Sequence, residues 1–385
     1  MALGEAFVRD GEWDAARVLF EGVLTVAPGE ARAHFGLKLL CEAAGDSDGA
    51  LRHEQLAFAR ADVIAIPYEG AGAPIDMLIV VAANGGNVVT GPLVDRAIVR
   101  GYSVTAEGYD PAMTLPPHHL VLNGVGDVDR SPAALACVER LLSATTAPVI
   151  NRPADVRATG RREIAERLAR LEGVVTAHTV MLPRGSVTAD ELRRRGFTFP
   201  LLLRTPGFHT GEYFEYLTDP GGIAAALDRL PGDAVFAIAY VDVRDADGSF
   251  RKYRVLSIGG RLYPLHLAIA SQWKVHYFSA DMAERADHRA EEARFLDDMA
   301  AVLGPRALAA LERIAAALNL DYGGIDFAID RNGDVAVFEA NATMVILPAG
   351  DDPRFGYRAP AIARAQAAVR DLIRTKAELG GYRPD

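Results

Sequence analysis

The chain has 385 residues, half of them apolar, with 41 basic and 51 acidic side chains and a net charge of −10. That length allows roughly two to four domains, each with its own core. The acidic excess argues against a nucleic-acid partner or an anionic membrane surface. Only Cys41 and Cys137 are present, so a disulfide framework is excluded and a reducing, cytoplasmic compartment is expected. The first residues lack a basic segment followed by an apolar one, so no secretory leader is expected. The longest apolar run, near Ile75–Ala83, is too short to cross a bilayer.

Residues 1–61 read as helices. Gly11-Glu12-Trp13-Asp14-Ala15-Ala16 is followed by Phe20 and Pro28, and a shift of 34 residues places Gly11 on Gly45 and Ala16 on Ala50. That period, with a small residue at the turn and an Ala in the second helix, resembles the tetratricopeptide repeat. Two such units are too few to stand alone, so they are expected to dock on the rest of the chain.

Residues 62–153 change to a βαβ pattern. The run Met77–Ala83 predicts a buried parallel strand ending at Asn84-Gly85-Gly86. A helix over Pro92–Arg100, a strand over Tyr102–Ala106, a strand ending at Asn123, a helix over Pro132–Ser143 and a strand ending at Asn151 follow. Asn84, Asn123 and Asn151 each close a strand, the place where ligands meet open α/β sheets, so all three are candidate substrate residues. Neither a dinucleotide fingerprint nor a P-loop is present.

Residues 154–385 mix helices with antiparallel strands. A helix is predicted over Arg161–Leu171 and strands over Val174–Leu182 and Pro200–Arg204. A meander spans Ala234–Arg244, Arg251–Ile258 and Arg261–Ala270, with Gly259-Gly260 as a turn. Helices follow at Ala286–Leu303, Pro305–Asn319 and Arg358–Glu378, with a strand pair before the last.

That strand pair carries the chemistry. Asn332-Gly333 is a strong hairpin signal, and a two-residue turn there sets Asp326 opposite Glu339, with Asn341 on the same face. Facing carboxylates repel, and a divalent cation relieves that repulsion. Two carboxylates and an amide oxygen suit Mg²⁺, so Asp326, Glu339 and Asn341 are the expected metal ligands. A hairpin strained by repulsion is expected to keep or gain stability when either charge is removed.

The order Gly-x-Asp-Phe, then Glu thirteen residues after the Asp and Asn two beyond, resembles the metal signature of the ATP-grasp ligases. The match is close to glutathione synthetase and D-alanine–D-alanine ligase and covers about residues 75–375. The resemblance implies an α/β fold: a helical repeat at 1–61, a pre-grasp layer at 62–153, and an ATP-grasp core at 154–385. Within the core it implies a lid at about 154–240 and a grasp subdomain at about 241–385. It implies ATP and Mg²⁺ (or Mn²⁺) as cofactors and amide-bond formation through an acyl phosphate.

By the same resemblance, Arg204 stands where the family has a phosphate-binding Lys, and a planar fork replaces a point charge. Gly207 and His209 fall in a phosphate-covering loop. Tyr240, Val241 and Asp242 fall at the adenine-binding hinge, and Arg254 on the following strand faces phosphate. An earlier family Lys corresponds to Arg161 or Arg162. Many members carry an Arg two residues before the metal Asp, whereas this chain has Gly324, so another cation must serve, with Lys274 the candidate. His266 and His276 are candidate substrate contacts. Expected partners are an amino-acid or peptide substrate and a peptide or protein on residues 1–61, with a homodimer left open. A catalytically silent nucleotide-binding adaptor and a kinase are the alternatives.

Overall fold

The computed structural model describes residues 4, 7, 12–57, 63–83, 85–206, 213–275 and 280–383. Asn84, Gly207, His209 and His276 lie outside the described residues. So does Gly11, one half of the repeat's Gly11/Gly45 match. The architecture is mixed α/β, as the sequence predicts.

Helices α1 (Trp13–Val26), α2 (Ala31–Ala43) and α3 (Ser47–Ala57) form the N-terminal unit. Ala16, Phe20, Ala33, Leu37 and Leu40 close a small core in which Gly36 leaves room for the Phe20 ring. The expectation that this unit shares its apolar face with the rest of the chain is not met in that cluster. Its buried residues come from the first two of these helices, with Phe7, Val23 and Leu24 packed against them.

The second unit is a five-stranded sheet of β1 (Ile64–Ile66), β2 (Ile75–Val81), β3 (Val99–Thr105), β4 (Leu120–Asn123) and β5 (Val149–Ile150), in the order β1-β3-β2-β4-β5. β2 to β5 run parallel and β1 is antiparallel at the edge. β2 is apolar from Met77 to Val81 because both faces are covered, and its one charged residue, Asp76, pairs with Arg100. Helix α4 (Pro132–Leu142) starts with Pro at its first turn and buries Ala134, Leu135, Val138 and Leu141 at helical spacing. The predicted helix over Pro92–Arg100 is a pair of turns instead, and β3 begins at Val99.

Two short helices, α5 (Pro153–Arg157) and α6 (Arg161–Leu168), lead out of this layer. β6 (Val174–Thr176) and β7 (Thr179–Pro183) follow, then α7 (Ala189–Arg194), β8 (Leu201–Arg204), β9 (Phe214–Leu217), α8 (Ile223–Arg229) and β10 (Ala234–Ala239). The strands β7-β10-β8-β9 make an antiparallel sheet. β6 is not part of it. It pairs in parallel with the later hairpin, so the second subdomain takes a strand from the region assigned to the first.

The last unit holds β11 (Phe250–Ile258), β12 (Arg261–Ala270), α9 (Ala286–Asp297), α10 (Met299–Leu318), β13 (Tyr322–Ile329), β14 (Val335–Asn341) and α11 (Ala359–Leu379). Its sheet runs β12-β11-β13-β14-β6. α10 is broken where the sequence places its Pro: Gly304 takes φ 74° ahead of Pro305.

Two of the candidate substrate asparagines turn to backbone instead of facing a ligand: Asn151 bridges two of these units, and Asn123 supports it from within the parallel layer. Asn123 is fully buried; its amide donates to the Asn151 carbonyl and accepts from the Val125 N–H. Asn151, at φ 62°, bonds both backbone groups of Tyr322, at 2.7 and 2.9 Å. Its own N–H donates to Asp321, which Lys376 also meets at 2.8 Å. Their amides are spent on backbone at the seam between the parallel layer and β13. Asn151→Ala leaves two buried groups of Tyr322 without partners and is expected to cost about 2–4 kcal/mol of unfolding free energy, read by urea titration. A loss below about 1 kcal/mol contradicts the bridging role.

Candidate active site

The β13–β14 hairpin sets Asp326 against Glu339 and Gly324 against Asn341. At Asp326 and Gly324 the register is the predicted one, but the turn and the pairing of Phe327–Ile329 beside it are not. Asp330 accepts from Gly333 N–H at 3.0 Å and its own N–H donates to the Asp334 carbonyl, so the loop is Arg331-Asn332-Gly333. Gly333 takes φ 79°, and the Asp330 carboxylate accepts from the N–H groups of Asn332 and Asp334. A three-residue loop alone shifts the strands by one. Phe338 restores the pairing by bulging out of β14, because Phe327 faces Val337 while Asp326 faces Glu339.

Cross-strand register extends this pair into a row across four strands. His266 on β12 faces Arg254 on β11, Arg254 faces Asp326, and Asp326 faces Glu339. Asp326 has no exposed surface. Arg254 grips it with two parallel bonds of 2.6 and 2.8 Å, and Lys252 adds an ammonium at 2.6 Å. Lys252 lies two residues from Arg254, on the same face of β11. Burial alone pushes the Asp326 carboxyl up, yet the charges of Arg254 and Lys252 prevail and hold it far below the usual carboxylate range. His266 is driven the other way: burial and the neighbouring Arg254 cation lower it well below an ordinary imidazole, so it is neutral.

Glu339 meets Arg161 of α6 at 3.3 Å and accepts from the Asn341 amide at 3.0 Å. Arg161, not Arg162, is the residue at the site; Arg162 pairs with Glu163 at the surface. The Asn341 oxygen accepts from both the N–H and the hydroxyl of Thr343, each at 2.9 Å. The three expected metal ligands are therefore already engaged: Asp326 by two cations, Glu339 by a third, and Asn341 by Thr343. This arrangement does not fit a three-ligand divalent site. The predicted repulsion is relieved by side chains of the chain itself.

The row forms one wall of a cavity of about 560 Å³. Loops after β2 and β4, helix α6, strands β8 and β10 and the segment Trp273–Val275 form the others. Six basic residues line it (Arg130, Arg161, Arg204, Lys252, Arg254, Lys274) against four carboxylates, Asp127, Asp129, Asp326 and Glu339. A cationic pocket in a chain of net charge −10 is a local inversion. Arg204, at the end of β8, is 9% exposed, stacks over Phe214 and is pushed down to about 10 by burial and by Arg161, so it stays charged at neutral pH.

Tyr240 and Val241 line the cavity, whereas Asp242 turns away to cap the Arg244 N–H at 3.1 Å. Tyr216 packs edge-on to Tyr240 with ring centres 5.0 Å apart and lies 5.3 Å from Trp273, giving the pocket an aromatic side. Burial raises the Tyr240 hydroxyl above its ordinary value, so it remains protonated. Lys274 is at the rim beside Trp273. The sequence reading missed Lys252, Thr343, Asp127, Asp129 and Arg130. Only Lys252 carried a usable signal, its spacing of two from Arg254.

No family model matches the sequence, and no curated protein matches it. Solved structures do resemble it. The D-alanine–D-alanine ligase from Bacillus anthracis complexed with ATP is 14% identical, with a TM-score of 0.49, over 80% of this chain and 99% of that one. The D-alanine–D-alanine ligase from Coxiella burnetii is 11% identical, with a TM-score of 0.47, over 80% and 96%. The ATP-grasp ligase PsnB complexed with precursor peptide PsnA2 and AMPPNP is 15% identical, with a TM-score of 0.44, over 79% and 99%. Likeness at this level assigns no residue and no substrate.

The ion pairs revise the expectation for stability. Asp326→Asn strands two cations in a buried site and is expected to cost about 3 kcal/mol of unfolding free energy at pH 7. A carboxyl held low in the fold contributes fully above its unfolded value, near 4, and loses that contribution as pH falls further. The gap between wild type and variant in urea unfolding is therefore expected to stay flat from about pH 5 to 8 and to narrow below about pH 4. A variant as stable as wild type restores the repulsion account.

Proposed function

We propose that the chain is an ATP-dependent ligase joining a carboxylate to an amine, with release of ADP and phosphate. The observation that carries this reading is the cationic cavity between the β7–β10 sheet and the last sheet, aromatic at one end and lined by Arg204, Lys274 and the Lys252–Arg254 pair. Its size suits a nucleotide, its charge suits a polyphosphate, and its aromatic end suits a base.

In this reading Tyr240 and Val241 meet the adenine, while Arg204 and Lys274 hold the phosphate chain. A carboxylate oxygen of the substrate attacks the γ-phosphorus; that P–O bond forms as the bond to ADP breaks. The amine nitrogen then attacks the acyl carbon, phosphate leaves with the bonding pair, and the amine proton passes to solvent. The fixed cations neutralise negative charge that builds on the transferred group, and positioning supplies the remainder of the catalysis. Cys41 and Cys137 are buried and play no part.

Arg204→Met is expected to weaken ATP by about 10- to 100-fold and AMP by less than about 3-fold, read by calorimetric titration, since a charge-assisted bond contributes roughly 1.5–3 kcal/mol. Equal losses for both nucleotides place Arg204 in the strand's packing instead.

The reaction class is read by hydroxylamine trapping. With ATP and a panel of amino acids and peptides, a ligase is expected to release ADP and accumulate a hydroxamate. ADP release without hydroxamate indicates transfer to a hydroxyl, and no ADP release indicates a nucleotide-binding adaptor. Trp13, Val18 and Leu56 on the N-terminal helices are each exposed, and in this reading such apolar side chains meet a chain-like partner. A preference for peptides over free amino acids is the outcome that contact predicts.

A further inference from the structure

We propose that Lys252 is a resident cation of this site: its ammonium holds the position beside Asp326 that a divalent ion needs, and it presents its remaining N–H groups to an anionic oxygen in the cavity. Three observations lead here. Asp326 is completely buried, and Lys252 and Arg254 place three charge-assisted bonds of 2.6–2.8 Å on its two oxygens. A carboxylate offers about four acceptor positions, so at most one is left. Lys252 and Arg254 both line the cavity, so an ion arriving at Asp326 from that side meets two positive charges at close range.

The ammonium has three N–H donors, one of which is spent on Asp326. A side chain that both lines the cavity and is fixed by a buried carboxylate is a pre-positioned donor for a phosphoryl or carboxylate oxygen. Lys252 also answers a gap in the hairpin. No cation stands at Gly324, where a Cβ would meet Met344 and leave no space for a long side chain. The neighbouring strand supplies the charge instead. Asp326 is then a counterion that fixes Lys252 and Arg254, and not a metal ligand. A divalent ion accompanying a nucleotide is held chiefly by that nucleotide.

The test is a Mn²⁺ titration of the full chain by electron paramagnetic resonance, without nucleotide and with a non-hydrolysable ATP analogue, so that no turnover is needed. Lys252→Gln keeps the Arg254–Asp326 pair and opens the position. It is expected to raise Mn²⁺ affinity at least tenfold without nucleotide, and Lys252→Gln/Asp326→Asn is expected to abolish that gain. Circular dichroism melting confirms that each variant is folded. Affinity in Lys252→Gln equal to or weaker than wild type overturns the proposal, as does a gain that survives removal of Asp326. The result is independent of the ligase reading, which fails separately if the ATP analogue does not bind.

Discussion

A carboxylate with no exposed surface, opposed by two cations on the adjacent strand, is the constraint around which this site is arranged. Asp326 has to be charged, because Arg254 and Lys252 hold it so, and those two have to stay, because a buried carboxylate without them is costly. The pairing fixes the register of β11 against β13, and the hairpin then fixes Glu339. Once Glu339 is in place it draws Arg161 from the start of α6, which brings the end of the parallel layer onto the same cavity.

The consequence is an electrostatic inversion. A strongly acidic chain gathers basic side chains from the α/β layer, the β7–β10 sheet and the last sheet into one pocket. None of these units alone lines more than part of it. Asn151 and Lys376 secure the seam between two of them, with Asn123 supporting Asn151 from within the parallel layer, so the spacing of the charges depends on contacts away from the cavity. On the far side of the last sheet, buried Glu292 is bonded by Arg358 and Tyr357 and anchors the segment that follows β14.

The legible part of the site came from period-two alternation and hairpin chemistry. Both are local, and they place Asp326, Glu339 and Asn341 on one face. The agreement for Asp326 and Glu339 had an unforeseen cause, since a three-residue loop and the Phe338 bulge offset one another. A bulge has no composition signal when its extra residue is an ordinary Phe. Partners were harder to read than positions. That Arg254 sits on Asp326 depends on which strand lies beside β13, and nothing in either segment states it. Asn123 and Asn151 show the same limit: an Asn at a strand end reads alike whether its amide meets a ligand or the backbone of another unit. Pro92–Arg100 failed for a different reason, because Pro followed by apolar runs split by Asp95-Arg96 suits consecutive turns as well as a helix.

The central claim is that the row from His266 to Glu339 and the cations above it form a polyphosphate site. A crystal structure with a non-hydrolysable ATP analogue tests it most directly. The account predicts the base against Tyr240 and Val241, the phosphates in contact with Arg204 and Lys252, and the Arg254–Asp326 pair unbroken. An analogue whose phosphates point to solvent, or a divalent ion bonded directly to Asp326 with Lys252 displaced, contradicts it.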